Sequence, residues 1–161
     1  MRDWKVLFVR PNCEKKVAEV CAAHGIGCYL PLRITRRKYQ RRMVQFDIPI
    51  FKGYVFAQWT AEGKLHLQRT NQIVKVLEPQ SSIRLLRQLV TIRRMIAGSP
   101  EIQVGPQLAS GTKVRVKNGP LMGIEGLVEK MKDKLTVVVN IEMIGQSVSV
   151  PLDSADVELV S

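Results

Sequence analysis

The chain has 161 residues, 45 % of them apolar and 24 % charged, which is enough apolar content for packed cores and excludes global disorder. Its net charge of +11 is unevenly placed: residues 1–100 carry 19 Lys/Arg against 6 Asp/Glu, and residues 101–161 carry 6 against 8. A basic half beside a slightly acidic one points to a polyanion next to the first half, most simply DNA or RNA. No stretch approaches the roughly 18 consecutive apolar residues of a membrane span, and no signal-peptide pattern precedes the first strand-like segment, so a cytoplasmic, monomeric protein away from membranes is expected.

In chain order, Trp4–Val9 reads as a strand with a short apolar run, broken by Pro11-Asn12. Asn12 is placed to cap a helix from about Cys13 to His24, with Glu14 in its first turn and Val17, Val20 and Cys21 on one face. Gly25 fits the position that ends such a helix. Cys28–Leu30 is a second strand, stopped by Pro31. Cys13, Cys21 and Cys28 with His24 form a cluster, but an odd cysteine count without a close C-x-x-C pair reads as buried thiols rather than a zinc site, and no metal or cofactor is expected.

Residues 33–42 read Arg-Ile-Thr-Arg-Arg-Lys-Tyr-Gln-Arg-Arg, six of the ten basic. The flanking Leu32–Thr35 and Val44–Ile48 can pair as a hairpin with the basic run at its tip. Arg33, Arg36, Arg37, Lys38, Arg41 and Arg42 suit phosphates, and Tyr39 could stack on an unpaired base. The alternatives are a solvated loop or an acidic protein surface.

Pro49–Gly53 makes a turn into the strand Tyr54–Trp59, whose alternation puts Tyr54, Phe56 and Gln58 on one face and Val55, Ala57 and Trp59 on the other. Phe51, Tyr54 and Phe56 are either core or an exposed docking patch. A helical turn at Lys64–Arg69 and a strand at Ile73–Leu77 follow. Ser81 or Ser82 caps a helix to about Ala97, closed by Gly98-Ser99-Pro100, with Leu85, Leu89, Ile92 and Ile96 facing a core and Arg84, Arg87 and Arg94 opposite. This predicts an α+β fold: a helix-covered, mostly antiparallel sheet over residues 1–98.

Residues 99–110, with two prolines and a glycine, read as a linker. Residues 111–161 hold five short strand patterns with glycines at the corners, including turns at Asp133-Lys134 and Ile144-Gly145-Gln146, and no helix signal. That predicts a small SH3-like β-barrel, which the β-branched run Thr136–Val139 supports over any helical alternative.

The segment Gly111-Thr-Lys-Val114-Arg-Val116-Lys-Asn-Gly119-Pro120-Leu-Met-Gly123-Ile-Glu-Gly126-Leu-Val closely resembles the KOW motif, whose glycines accept positive φ in a tight first loop. Trp4 opening a strand, Glu14-Lys15-Lys16-Val17, Tyr29-Leu30-Pro31, Phe51-Lys52-Gly53-Tyr54-Val55-Phe56, and His66-Leu67 before Arg69-Thr70 resemble the NusG N-terminal (NGN) domain in order and spacing. Lys52 departs from the family's usual proline. The basic hairpin resembles more the specialised RfaH-type paralogs than housekeeping members.

The resemblance implies a non-enzymatic transcription elongation and antitermination factor. Its N-terminal domain would dock on the clamp helices of the polymerase's largest subunit through Phe8, Phe51, Tyr54 and Phe56, a role it favours for Tyr54 and Phe56. His66, Leu67 and Gln68 would reach the other side of the main channel. Arg10, Thr70 and Asn71 match contacts to the non-template DNA strand. The KOW domain would bind a ribosomal small-subunit protein or Rho, with Leu121, Met122 and Ile144 as contacts. A ribosome-associated KOW RNA-binding protein is the alternative, though it leaves the first hundred residues unexplained, and a housekeeping NusG is another. No P-loop, zincin or dinucleotide pattern argues for an enzyme.

Overall fold

The computed structural model describes residues 3–99, 101–131 and 134–160. The proline expected after the long helix and part of the expected Asp133-Lys134 turn lie outside them. The chain divides into two compact units, Met1–Ser82 and Ile83–Ser161.

The first unit runs β1 (Trp4–Val9), α1 (Glu14–Ala23), β2 (Cys28–Tyr29), β3 (Leu32–Tyr39), β4 (Arg42–Pro49), β5 (Tyr54–Gln58), α2 (Ala61–Arg69) and β6 (Ile73–Leu77). Four strands form an antiparallel sheet in the order β2-β5-β1-β6. Alternation along the central strands decides the rest. Leu7, Val9, Val55 and Ala57 point to one face and pack with Val17 and Cys21 of α1 and Leu67 of α2. Each is essentially removed from solvent, and burial of this kind contributes about 1.5–3 kcal/mol per large side chain. The cap of α1 differs from expectation: Asn12 takes a left-handed φ of 61° and Cys13 occupies the N-cap without a side-chain bond. In α2, Thr60 caps by accepting from the Gly63 N–H at 3.0 Å.

The second unit runs α3 (Ser82–Gly98), β7 (Gln103–Pro106), β8 (Thr112–Val116), β9 (Glu125–Met131), β10 (Lys134–Ile141), β11 (Gln146–Leu152) and β12 (Val157–Leu159). Its six-stranded antiparallel sheet has the order β12-β8-β9-β10-β11-β7. Val114, Val116, Val137, Ile141, Val148 and Val150 supply its buried side, and the run Thr136–Val139 lies within β10.

Two features differ from the expected boundaries. Residues 103–106, within the segment expected to be a linker, form β7, which pairs with β11. Its proline and glycine are tolerated because β7 is an edge strand, where a missing N–H costs no ladder bond. And α3 groups with the second unit rather than with residues 1–82. The Arg84 guanidinium donates to the Glu142 carboxylate, and Arg94 donates to the Met122 carbonyl at 2.6 Å. At Gly98 a Cβ would lie 2.6 Å from Leu121 Cδ2, so the helix end fits closely against that side chain.

Candidate nucleic-acid interface and protein-docking face

The basic run does not sit in a loop. Strands β3 and β4 pair along their whole length, from Leu32 opposite Pro49 to Tyr39 opposite Arg42, and form a two-stranded sheet of their own. The tip is the two-residue turn Gln40-Arg41, with φ of 41° and 69°. Two consecutive positive values define the turn whose twist matches a hairpin, normally built from Asn-Gly.

Register sorts the hairpin into two faces. One carries Arg33, Arg37 and Arg42 with Thr35, Tyr39 and Phe46; the other carries Arg36 and Lys38 with Ile34, Met43, Gln45 and Asp47. All six cations are exposed, as are Tyr39 at 60 % and Met43 at 66 %. Among the described residues none of the six joins an ion pair. The arm thus holds unneutralised charge on both faces, an arrangement that repels itself unless an anion approaches.

A second basic concavity lies in the same unit. Arg10, Gln68, Asn71 and Lys75 line a cleft of about 370 Å³ with Trp59, Ile73, Val74 and Val76. Arg10 is held where it leaves β1, its N–H donating to the Gln72 carbonyl at 2.8 Å, and Asn71 supplies the left-handed residue, φ 56°, that turns the chain out of α2. Three expected residues therefore meet, and Lys75, on an exposed stretch of β6, joins them unforeseen. Thr70 differs: its hydroxyl donates to the Leu67 carbonyl at 2.7 Å and accepts from the Gln72 N–H at 3.2 Å. It closes α2 rather than offering a free donor.

The aromatic residues divide between surface and core. Phe8 stands opposite Tyr54 in the sheet register, with ring centroids 5.4 Å apart, on the face away from α1 and α2. Phe8 is 38 % exposed and Tyr54 half-buried. Phe51 and Phe56 are buried, edge to face at 6.3 Å, which corrects their expected place on the docking surface. The turn before Tyr54 is held from below. Gly53, φ +87°, would bring a Cβ to 3.2 Å from the Phe8 ring. Its N–H donates to the buried Glu14 carboxylate at 3.3 Å, and its carbonyl accepts from Val9 N–H at 2.8 Å. Sequence patterning marks Glu14 only as a first-turn helix acid; its placement under a turn some forty residues away carries no local signal.

On α2, Leu67 is fully buried in the core, again a correction: the helical period that exposes Gln68 turns Leu67 inward. His66 stacks on His24, with centroids 3.7 Å apart and planes 12° from parallel. Cys21 and Cys28 share a thiol hydrogen bond, which lowers the Cys21 thiol and raises that of Cys28. Among the described residues no three His, Cys, Asp or Glu side chains converge as a metal site would require.

In the second unit Gly119 and Gly123 take φ of 88° and 90°, the positive values expected of glycines in a tight loop. A Cβ on Gly126 would come within 2.7 Å of the Val138 carbonyl, and one on Gly111 within 3.2 Å of that of Val128. Val114 and Val116 are core, and Pro120 lies in the loop after β8 that buries Leu121. Leu121 is thereby corrected from partner contact to packing residue. Met122 is 59 % exposed and Ile144 partly so. Arg115 donates two hydrogen bonds to Glu125, at 2.7 and 3.1 Å, which holds that carboxyl below its ordinary value.

The family model described as NusG, transcription termination factor nusG, matches residues 2–95. A solved structure reporting the domain interaction in Thermotoga maritima NusG is similar over 100 % of this chain and 98 % of that one, with a TM-score of 0.50 and 19 % identity. The MjSpt4:Spt5 complex in conformation B aligns over 98 % of this chain and 97 % of that one, at TM-score 0.32 and 15 % identity. No curated protein matches the sequence.

Proposed function

Because the chain belongs to the NusG family of transcription elongation factors, we propose that it docks on RNA polymerase through Phe8 and Tyr54 and suppresses pausing and termination. The observation that carries this is the pair of facing aromatics, Phe8 exposed and Tyr54 half-buried, on the sheet face opposite α1 and α2, beside buried Phe51 and Phe56. Exposed aromatics on a rigid support are typical hot spots of protein interfaces. The clamp helices of the largest subunit are the partner this patch fits. His66 and Gln68, on α2, reach toward the opposite side of the channel. A factor that grips both sides binds the elongating conformation better than a swivelled, paused one, and shifts the population accordingly. No bond is made or broken in such a mechanism.

Arg10, Asn71 and Lys75 in this cleft take the exposed non-template strand, and the β3–β4 arm contacts nucleic acid beside it. Residues 111–161 form the second-partner module, with Met122 and Ile144 offered to a ribosomal small-subunit protein or to Rho. The test is single-round transcription on a template with a strong pause and an intrinsic terminator. The protein shortens the pause and raises readthrough, and Tyr54→Ala abolishes both effects. Unchanged pausing with polymerase saturated by the factor would overturn the reading.

A further inference from the structure

The hairpin carries cations on both faces, and a strand lying across one face would leave the other unused. Arg33, Arg37 and Arg42 point one way, and Arg36 and Lys38 the other, while Asp47, near the base, is the arm's one acid. We propose that the β3–β4 arm is a ribbon that enters the major groove of double-helical DNA tip first, with each basic face toward one phosphate wall. This inference rests on the nucleic-acid reading above and names its substrate as duplex rather than single-stranded.

Three observations support it. The first is size. Paired strands lie about 4.8 Å apart and rise about 3.3 Å per residue, so eight residues a side give an arm of roughly 26 Å. A B-form major groove is about 12 Å wide and 8.5 Å deep and admits a two-stranded ribbon; the A-form groove of RNA is too narrow. The second is the distribution of charge on opposite faces, which matches a cleft with anionic walls on both sides.

The third is the tip. Gln40 and Arg41 both hold left-handed backbone, a conformation that costs a non-glycine residue roughly 1–2 kcal/mol and that Asn-Gly would adopt with ease. The two residues placed there instead are those that pair bidentately with base edges, glutamine with adenine and arginine with guanine. Backbone strain retained at an exposed tip marks a functional constraint.

The experiment measures binding of the full chain to a 20-base-pair DNA duplex, its single strand and the matching RNA duplex. It compares wild type, Arg33→Gln/Arg37→Gln/Arg42→Gln, Arg36→Gln/Lys38→Gln, and a tip variant, Gln40→Asn/Arg41→Gly, that favours the hairpin turn. Wild type should prefer the DNA duplex at least tenfold. Each face variant should weaken duplex binding by about fivefold per cation at 0.15 M salt, the size set by counterion release. The tip variant should lose fivefold or more although its hairpin is better formed. Preference for single strand or duplex RNA, an effect confined to one face, or a tip variant that binds as wild type overturns the duplex proposal while leaving the nucleic-acid reading in place. Binding to none of the three overturns both.

Discussion

Glu14 shows how one residue can position a surface it does not belong to. Its carboxylate is buried and accepts from the Gly53 N–H, fixing the turn that presents Tyr54. Replacing it with alanine leaves that donor unsatisfied, at a cost of about 1–3 kcal/mol, to be read by chemical denaturation. Gly53→Ala should act differently. It forces a Cβ into the Phe8 ring at positive φ, so it should weaken polymerase binding by more than its loss of stability explains. At this scale the sequence was partly legible. Period two placed Tyr54 and Phe56 on one face, and the structure agrees, but periodicity cannot tell which part of a face is covered. Phe56 is buried and Phe8 is not. Leu67 departs from the family resemblance for a related reason: a helix turns adjacent residues in different directions, so Gln68 is exposed and Leu67 is core.

Among the elements, the hairpin and β7 show what local patterns do and do not reveal. The pairing of β3 and β4 follows from their flanks, but the basic run, expected at the hairpin tip, lies mostly along the paired strands. Arginine, lysine and threonine in alternation satisfy a pleat as well as apolar residues do when neither face must be buried. An isolated two-stranded arm is marginally stable in water. Amide exchange in β3 and β4 should therefore be faster than in β1 and β5, and should slow when DNA is bound; protection in free protein equal to that of the central sheet would contradict this. β7 was hidden by Gly105 and Pro106, which mark loops in general and are tolerated at this sheet edge because Pro106 ends the strand. In β9, Gly126→Ala would press a Cβ against the Val138 carbonyl and should destabilise the second unit by about 1–3 kcal/mol, in the range of overpacked cores, visible as a lowered melting transition.

At the scale of the whole molecule the charge is asymmetric: the basic half holds the arm and the cleft, and the slightly acidic half the glycine-cornered loop of residues 117–124. The α+β sheet, the glycine-cornered second half and the family were readable because patterning, turn residues and motif spacing agreed. The assignment of α3 was not, since its amphipathic stripe specifies burial but not against what. Charge and aromatic contacts should separate under salt. Between 50 and 200 mM, nucleic-acid binding through the six arm cations should fall about a thousandfold, whereas polymerase binding through Phe8 and Tyr54 should change far less; equal loss would mean that charge drives both. The most direct measurement is the affinity of wild type and of Phe8→Ala/Tyr54→Ala for core RNA polymerase, with circular dichroism confirming that both are folded. A folded double variant that binds at least tenfold more weakly, as expected of hot-spot aromatics, supports the docking face. Wild-type binding that survives the double substitution unchanged, or a wild type that does not bind polymerase, would contradict it.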